Sequence, residues 1–223
     1  MRITIAILWG ALVLSAGAAY GSDVWGGPPD GTWDRFADGT TFTHWDFLFQ
    51  DWTEPDEWFN PYGPPDADIP IGFEWGLFEA PPSIDPDGDG FVEGWHCLNP
   101  AGGTITLTIP NSADPEGTKW IYLQVTSSKK PTGDSAAGPP GTASGTWNPG
   151  RPDIMHGGPS PFGGSWYTYS YGLYVQPNPQ SETITIEVIE CTVIDQIVVD
   201  TICTQDPIAN DATTWSGVKA LYR

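Results

Sequence analysis

Apolar and polar residues alternate with a period of two along much of this chain. The clearest run is Ser181 to Cys203, SETITIEVIECTVIDQIVVDTIC. There Thr183, Thr185, Glu187 and Ile189 alternate with Ile184, Ile186 and Val188, so opposite characters fall on the two faces of an extended strand. β-branched side chains are stiff at χ1 and suit a pleated surface better than a helix. Neither Gly nor Pro interrupts the run. It is too long for one strand, and reads as two that meet near Cys191.

The same period recurs upstream. In TTFTHWDFLF (40–49), Thr43, Trp45, Phe47 and Phe49 form the better core face, against Phe42, His44, Asp46 and Leu48. A short strand is predicted at IGFEWGLF (71–78). In GTITLTI (103–109), Ile105, Leu107 and Ile109 point inward; in KWIYLQVT (119–126), Ile121, Leu123 and Val125 share one face. The turn signal Asp114-Pro115-Glu116-Gly117 between them predicts antiparallel neighbours. In SWYTYSYGLYV (165–175), Tyr167, Tyr169, Tyr171, Leu173 and Val175 share a face, with Trp166, Thr168, Ser170 and Tyr174 on the other. Residues 50–70 and 81–93 read as acidic loops, and 127–164 as a Gly/Pro-rich surface excursion. Trp215, Val218, Leu221 and Tyr222 recur at helical spacing and predict a short C-terminal helix. The expected fold is all-β: a two-sheet antiparallel β-sandwich of seven or eight strands, jelly-roll or immunoglobulin-like, with long loops.

Composition sharpens this picture. With 27 Gly and 23 Pro the chain favours many turns, and 12 Trp rule out a disordered acidic tail. A formal charge of −20 repels phosphate backbones and anionic lipid, so nucleic acid and membrane surfaces are disfavoured as partners. Arg2, an apolar stretch from Ile3 to Leu14, and the small residues Ala19 and Gly21 before Ser22 have the pattern of a secretory signal peptide over residues 1–21. Residues 22–204 then form a single β-sandwich domain, and 205–223 a linker and tail. No other segment is long and apolar enough for a transmembrane anchor. An oxidising compartment permits one disulfide among the three cysteines. Cys191 and Cys203 are the candidate pair, facing each other across two adjacent strands; Cys97 with either is the alternative.

Three sets of residues carry candidate chemistry. Asp85-Pro86-Asp87-Gly88-Asp89-Gly90-Phe91-Val92-Glu93 places carboxylates at every second position and then Gly, as a calcium loop does. Asp85, Asp87, Asp89 and Glu93 are its candidate ligands, and the ion would be structural. The stretch resembles the calcium loops of EF-hand, dockerin and thrombospondin type-3 modules, but His96 stands where they carry a bidentate acid. The second set is aromatic: Trp147, Trp166, Tyr167, Tyr169 and Tyr171 could stack on sugar rings if exposed, or fill a core poor in large aliphatics. The third is acid–base: His44 with Asp46, and His96 near Glu93. HxH, HExxH, GxSxG and Gly-rich phosphate loops are all missing from the sequence.

HWDF (44–47), IYLQVT (121–126) and VIDQIVVDTIC (193–203) resemble secreted β-sandwich proteins of planctomycete-type and related environmental bacteria, many of which carry a C-terminal PEP-CTERM sorting segment. The resemblance implies export and a sandwich and attaches no activity. This chain departs from it at the end, with no PEP motif, no terminal membrane helix and no arginine cluster. Its TTWSGVKALYR ending resembles the short tails of other secreted bacterial proteins, which implies a sorting or docking tag; a terminal helix packed on the body is the alternative. The expected function is therefore non-catalytic: a secreted or cell-surface sandwich with a structural or interaction role in the envelope or matrix, calcium-stabilised, with polysaccharide or envelope proteins as partners. A carbohydrate-binding module is the alternative, and a polysaccharide-active hydrolase the third reading. Buried tyrosines at 167, 169 and 171 would take away the sugar platform.

Overall fold

Alternating Thr, Ile and Val leave the longer strands with one apolar face to hide, and two stacked sheets hide it. A computed structural model shows this arrangement and describes residues 33–48, 53–85, 88–112, 117–131 and 154–204. Eleven strands are described: β1 (Thr40–Trp45), β2 (Glu57–Phe59), β3 (Asp66–Asp68), β4 (Phe73–Glu79), β5 (Phe91–Cys97), β6 (Gly103–Pro110), β7 (Thr118–Ser127), β8 (Ile154–Gly157), β9 (Trp166–Val175), β10 (Ser181–Val188) and β11 (Val193–Thr204). No helix occurs among the described residues. The predicted signal peptide, the tail with its helix, and Trp147 lie outside them.

The larger sheet has eight strands in the order β2-β1-β11-β7-β9-β8, with the β4–β5 hairpin joined through β5 to β11. The smaller has three, β10-β6-β3. All the pairings are antiparallel. Between the sheets lie Trp45, Ile121, Leu123, Val125, Tyr169, Tyr171, Leu173, Ile197 and Val199 from one side, and Ile105, Leu107, Ile109, Ile184, Ile186 and Val188 from the other. Each fully buried aliphatic of this kind stabilises the fold by about 1.5–3 kcal/mol before chain entropy opposes it. The two-sheet all-β architecture is the expected one, and so are the inward faces.

Neighbour relations differ. β6 and β7 are not paired: β6 lies between β10 and β3, and β7 between β11 and β9. The chain crosses from one sheet to the other between them. Two strands that face each other across a core show the same alternation as two strands side by side, so the pattern does not distinguish an arch from a hairpin. β10 and β11 likewise sit in different sheets, and the chain arches over at Cys191. Four further strands fall in stretches read as loops: β2 and β3 within 50–70, β8 within 127–164, and β5 at the end of the second acidic loop. β2 and β3 have three residues each, too few to show a period.

One end of the sandwich interior is polar. Lys119 on β7 and Glu182 on β10 both point inward and are fully buried, with Nζ 2.7 Å from Oε1. Asn111 donates through Nδ2 to Glu182 Oε2 (3.0 Å) and to Asn178 Oδ1. Asn178 in turn donates to the Ser112 carbonyl at 2.6 Å. Burial holds the Glu182 carboxyl above the ordinary range, while Lys119 and Asn111 oppose that shift. The pair spans the two sheets, so removing one partner leaves an uncompensated charge in the interior. Glu182→Leu is expected to lower stability to urea by about 3–5 kcal/mol, and Lys119→Met with Glu182→Leu to recover most of it. Equal losses in the single and double variants would show that the ion pair is not buried between the sheets.

Candidate functional site

The outer face of the larger sheet holds a second set of buried polar groups. Even-numbered residues of β1 and β7 turn away from the core, and across the register they line up. His44 lies opposite Val198, and Val198 opposite Gln124. One row along, Gln196 lies opposite Thr126, and Thr126 opposite Thr168. His44, Gln124, Thr126, Thr168 and Gln196 are all buried. Thr126 and Thr168 share a hydrogen bond of 2.8 Å, and His156 Nε2 lies 2.9 Å from the Thr168 hydroxyl. His44 Nε2 is 4.0 Å from Asp46 Oδ1. Beside this row Arg35 clamps Asp200 with Nε at 2.5 Å and Nη2 at 2.7 Å, its guanidinium 4.2 Å from the Phe42 ring centroid.

Electrostatics keep this face quiet. Burial, with the Arg35 charge adding to it, pulls the His44 pKa from 6.5 down to about 4, and contact with Gln196 opposes this only in part. His44 is thus a neutral imidazole at pH 7. Burial also lowers His156. Burial raises Asp200 above the usual carboxylate range against the pull of Arg35. A neutral His with a carboxylate at 4.0 Å can accept a proton only in acid. The row as it stands can hydrogen-bond a polar group. It shows no catalytic dyad.

The residues singled out in the sequence are distributed differently from expectation. Tyr169 and Tyr171 are inside the core, and Tyr167 is half-buried against it. Burial and the neighbouring Tyr167 push the Tyr169 hydroxyl up to about 12. Trp166 is fully buried with Ile84, Val92 and Val193, and its indole N–H donates to the Glu79 carbonyl at 3.1 Å. These rings therefore form no exposed stacking platform: β9 is an interior strand of a covered sheet, and both its faces are used. His96 and Glu93 do not converge either, because they lie on opposite faces of β5. His96 stacks instead on Phe162, with centroids 4.3 Å apart.

The 85–93 loop closes on itself. Asp85 is buried, with Oδ1 accepting from the Gly88 N–H at 2.7 Å and Oδ2 from the Gly90 N–H at 2.8 Å. Asp89 accepts from the Phe91 N–H at 2.8 Å. Gly88 and Gly90 have φ of 77° and 91°, which the turn requires. Asp87 lies outside the described residues, and Glu93 is half-buried on β5. Among the described residues no three His, Cys, Asp or Glu side chains converge as metal ligands.

Cys191 and Cys203 do not face each other. They stand at opposite ends of β11, separated by roughly 35 Å of extended chain. A disulfide needs Cα atoms within about 7 Å, so this pairing is corrected. Cys203 donates its thiol to Asn111 Oδ1 at 3.1 Å, in the polar end of the interior.

One surface feature was not singled out in the sequence. Trp75 lies opposite Trp95 on the β4–β5 hairpin, with Leu77 and Phe91 further along the same face. Phe73 and Cys97 at the base of that face are in the core, but Leu77 and Phe91 are 57% and 41% exposed. The alternation of Phe73, Trp75 and Leu77 was the available signal; that the smaller sheet stops short of it was not. Compared with known proteins, the chain matches no family model and no curated protein.

The His44 environment has a pH signature. From pH 6.5 down to about 4 the unfolded chain takes up a proton at this residue and the folded chain does not, so this group makes stability fall as pH falls. The full effect is ~3 kcal/mol. Asp56, Glu182 and Asp200, whose carboxyls burial raises, act in the opposite sense over the acid range. Comparison with His44→Gln isolates the term: the stability of wild type relative to the variant is expected to drop on acidification across that window. A pH-independent difference would show that His44 is not buried as a neutral ring.

Proposed function

We propose that this protein is an exported β-sandwich with a non-catalytic, structural or interaction role in the cell envelope or extracellular matrix. One observation supports this most: the side chains best suited to chemistry are committed to holding the fold. His44 is buried and neutral, Lys119 with Glu182 and Arg35 with Asp200 are closed pairs, and two of the three platform tyrosines are interior. The leader-like N-terminus, the acidic charge and the resemblance to secreted sandwich proteins support export. Expression of the full chain in a bacterial host, fractionation and N-terminal sequencing test it. The expected result is an exported protein beginning at Ser22 that leaves chromogenic glycosides and esters intact. Retention in the cytoplasm with Met1 in place, or turnover of any substrate, would sink the proposal.

Carbohydrate binding is the second reading, moved to a new place. The β4–β5 face supports it: half-buried Trp75 and Trp95 and exposed Leu77 and Phe91 offer apolar surface to the CH faces of linked sugars, and Glu79 and Glu93 between them offer acceptors to sugar hydroxyls. Affinity electrophoresis through gels containing plant, algal and bacterial polysaccharides is expected to retard wild type, and Phe91→Ala with Trp95→Ala to run freely. Equal mobility of both on all gels removes this reading. The same gels and a thermal melt run with a chelator test the calcium expectation for the 85–93 loop, which an unchanged melting midpoint would overturn.

A further inference from the structure

We propose that Cys97 and Cys191 are a redox pair which closes a disulfide across the two arches at the end of the sandwich opposite the Lys119–Glu182 pair. At that end the chain leaves β5 for β6 and leaves β10 for β11, and both connections cross from one sheet to the other. They are packed tightly: a Cβ placed on Gly102 would sit 2.3 Å from the Val188 carbonyl oxygen, and Cys97 Sγ lies 3.4 Å from where a Gly103 Cβ would be.

Backbone hydrogen bonds bring the two cysteines together. The Cys191 N–H donates to the Cys97 carbonyl at 2.8 Å, and the Cys97 N–H donates to the Thr192 carbonyl at 2.8 Å. Two residues of one strand thus oppose one of the other, which is a β-bulge. The direct bond sets Cys191 beside Cys97 across the bulge, and a disulfide bridges Cα atoms about 4.4–6.8 Å apart. Burial raises the Cys97 thiol above its ordinary range, its hydrogen bond to the Asn99 carbonyl at 3.9 Å opposes this, and the neighbouring Cys191 and Glu190 charges add to the rise.

The choice of residue at 191 points the same way. Its φ is 60°, in the left-handed region that the first position of such a bulge demands and that glycine fills without strain. A cysteine there accepts backbone strain that glycine would avoid. The two sulfurs differ in access, with Cys97 fully buried and Cys191 half-buried. That is the arrangement of an attacking and a resolving thiol.

A low-molecular-weight disulfide such as oxidised glutathione is the oxidant. The Cys191 thiolate attacks one of its sulfurs, the S–S bond breaks, and a first glutathione leaves, taking the proton that Cys191 lost. The Cys97 thiolate then attacks Cys191 Sγ and expels the second glutathione, which takes the Cys97 proton. The protein loses two electrons and two protons, and one glutathione disulfide becomes two thiols.

The test is a non-reducing peptide map of the full chain after exposure to oxidised glutathione, with remaining thiols alkylated in denaturant. The expected product joins the Cys97 and Cys191 peptides, leaves Cys203 alkylated and carries no glutathione. Cys203→Ser gives the same link, and Cys191→Gly gives none. Closure of so long a loop restricts the unfolded chain, so the oxidised protein should melt several degrees above the reduced one, reversibly with dithiothreitol and only where Cys191 is present. Three alkylated thiols, a glutathione adduct that persists on Cys191, or a link from Cys191 to Cys203 would each overturn the proposal.

Discussion

A lysine and a glutamate, both out of contact with water, meet between the two sheets. Charges taken into a dry interior cost far more than they return unless each finds the other. Lys119 and Glu182 do, and the consequence is positional. Each sits one pleat beyond an apolar row, Ile121-Leu123-Val125 on β7 and Ile184-Ile186-Val188 on β10. A slip of one residue in either strand would turn its charge to the outer face and send its partner into the core alone. The same slip would turn the whole apolar row outward, so the charges and the apolar faces hold the register together. The ion pair, with Asn111 and Asn178 satisfying further lone pairs, makes the stacking of these two sheets specific as well as favourable.

Alternation in the sequence carried the interior well. Trp45, Ile105, Leu107, Ile109, Ile121, Leu123, Val125, Ile184 and Ile186 all face the core from positions where the period of two had placed them. It carried the topology badly, for a physical reason. Burial is a property of a face, and β6 and β7 bury facing rows without touching at their edges. Pairing depends on backbone groups that every residue has, so composition is silent about it. The short strands escaped for the same reason: Asp66 to Asp68 is a strand because β6 offers it an unpaired edge, not because Asp-Ala-Asp prefers to be extended.

The candidate sites were legible only where one residue type determines the environment. Tyr167, Tyr169 and Tyr171 do share a face, as their spacing required, but the side of the sheet that received the smaller sheet was invisible in the spacing. On the other side the sequence marked His44 alone, as an acid–base candidate with Asp46, and the structure buries it in a row with Gln124, Thr126 and Gln196. The cysteines show the limit most simply. Eleven intervening positions look short on paper, yet along an extended strand they separate Cys191 from Cys203 by the length of the sandwich, while Cys97, remote in sequence, lies next to Cys191 across a bulge.

Unequal sheets explain why the exposed row falls on the β4–β5 hairpin. Three strands cannot roof eight, so part of the larger sheet's inner face must lie open or be covered by something else. β4 starts and β5 ends beneath the smaller sheet, at Phe73 and Cys97, and the rest of the hairpin runs out from under it. The same strand pattern that buries Phe73 therefore exposes Leu77 two pleats later. Apolar side chains on an uncovered stretch remain in water at a cost in free energy that scales with their area. On that stretch Leu77 lies opposite Glu93 and Phe91 opposite Glu79, so the open face alternates apolar groups with carboxylates. Among the described residues, Lys119 with Glu182 and Arg35 with Asp200 are closed ion pairs. Contact requires only a face left open, and the width of the larger sheet supplies one.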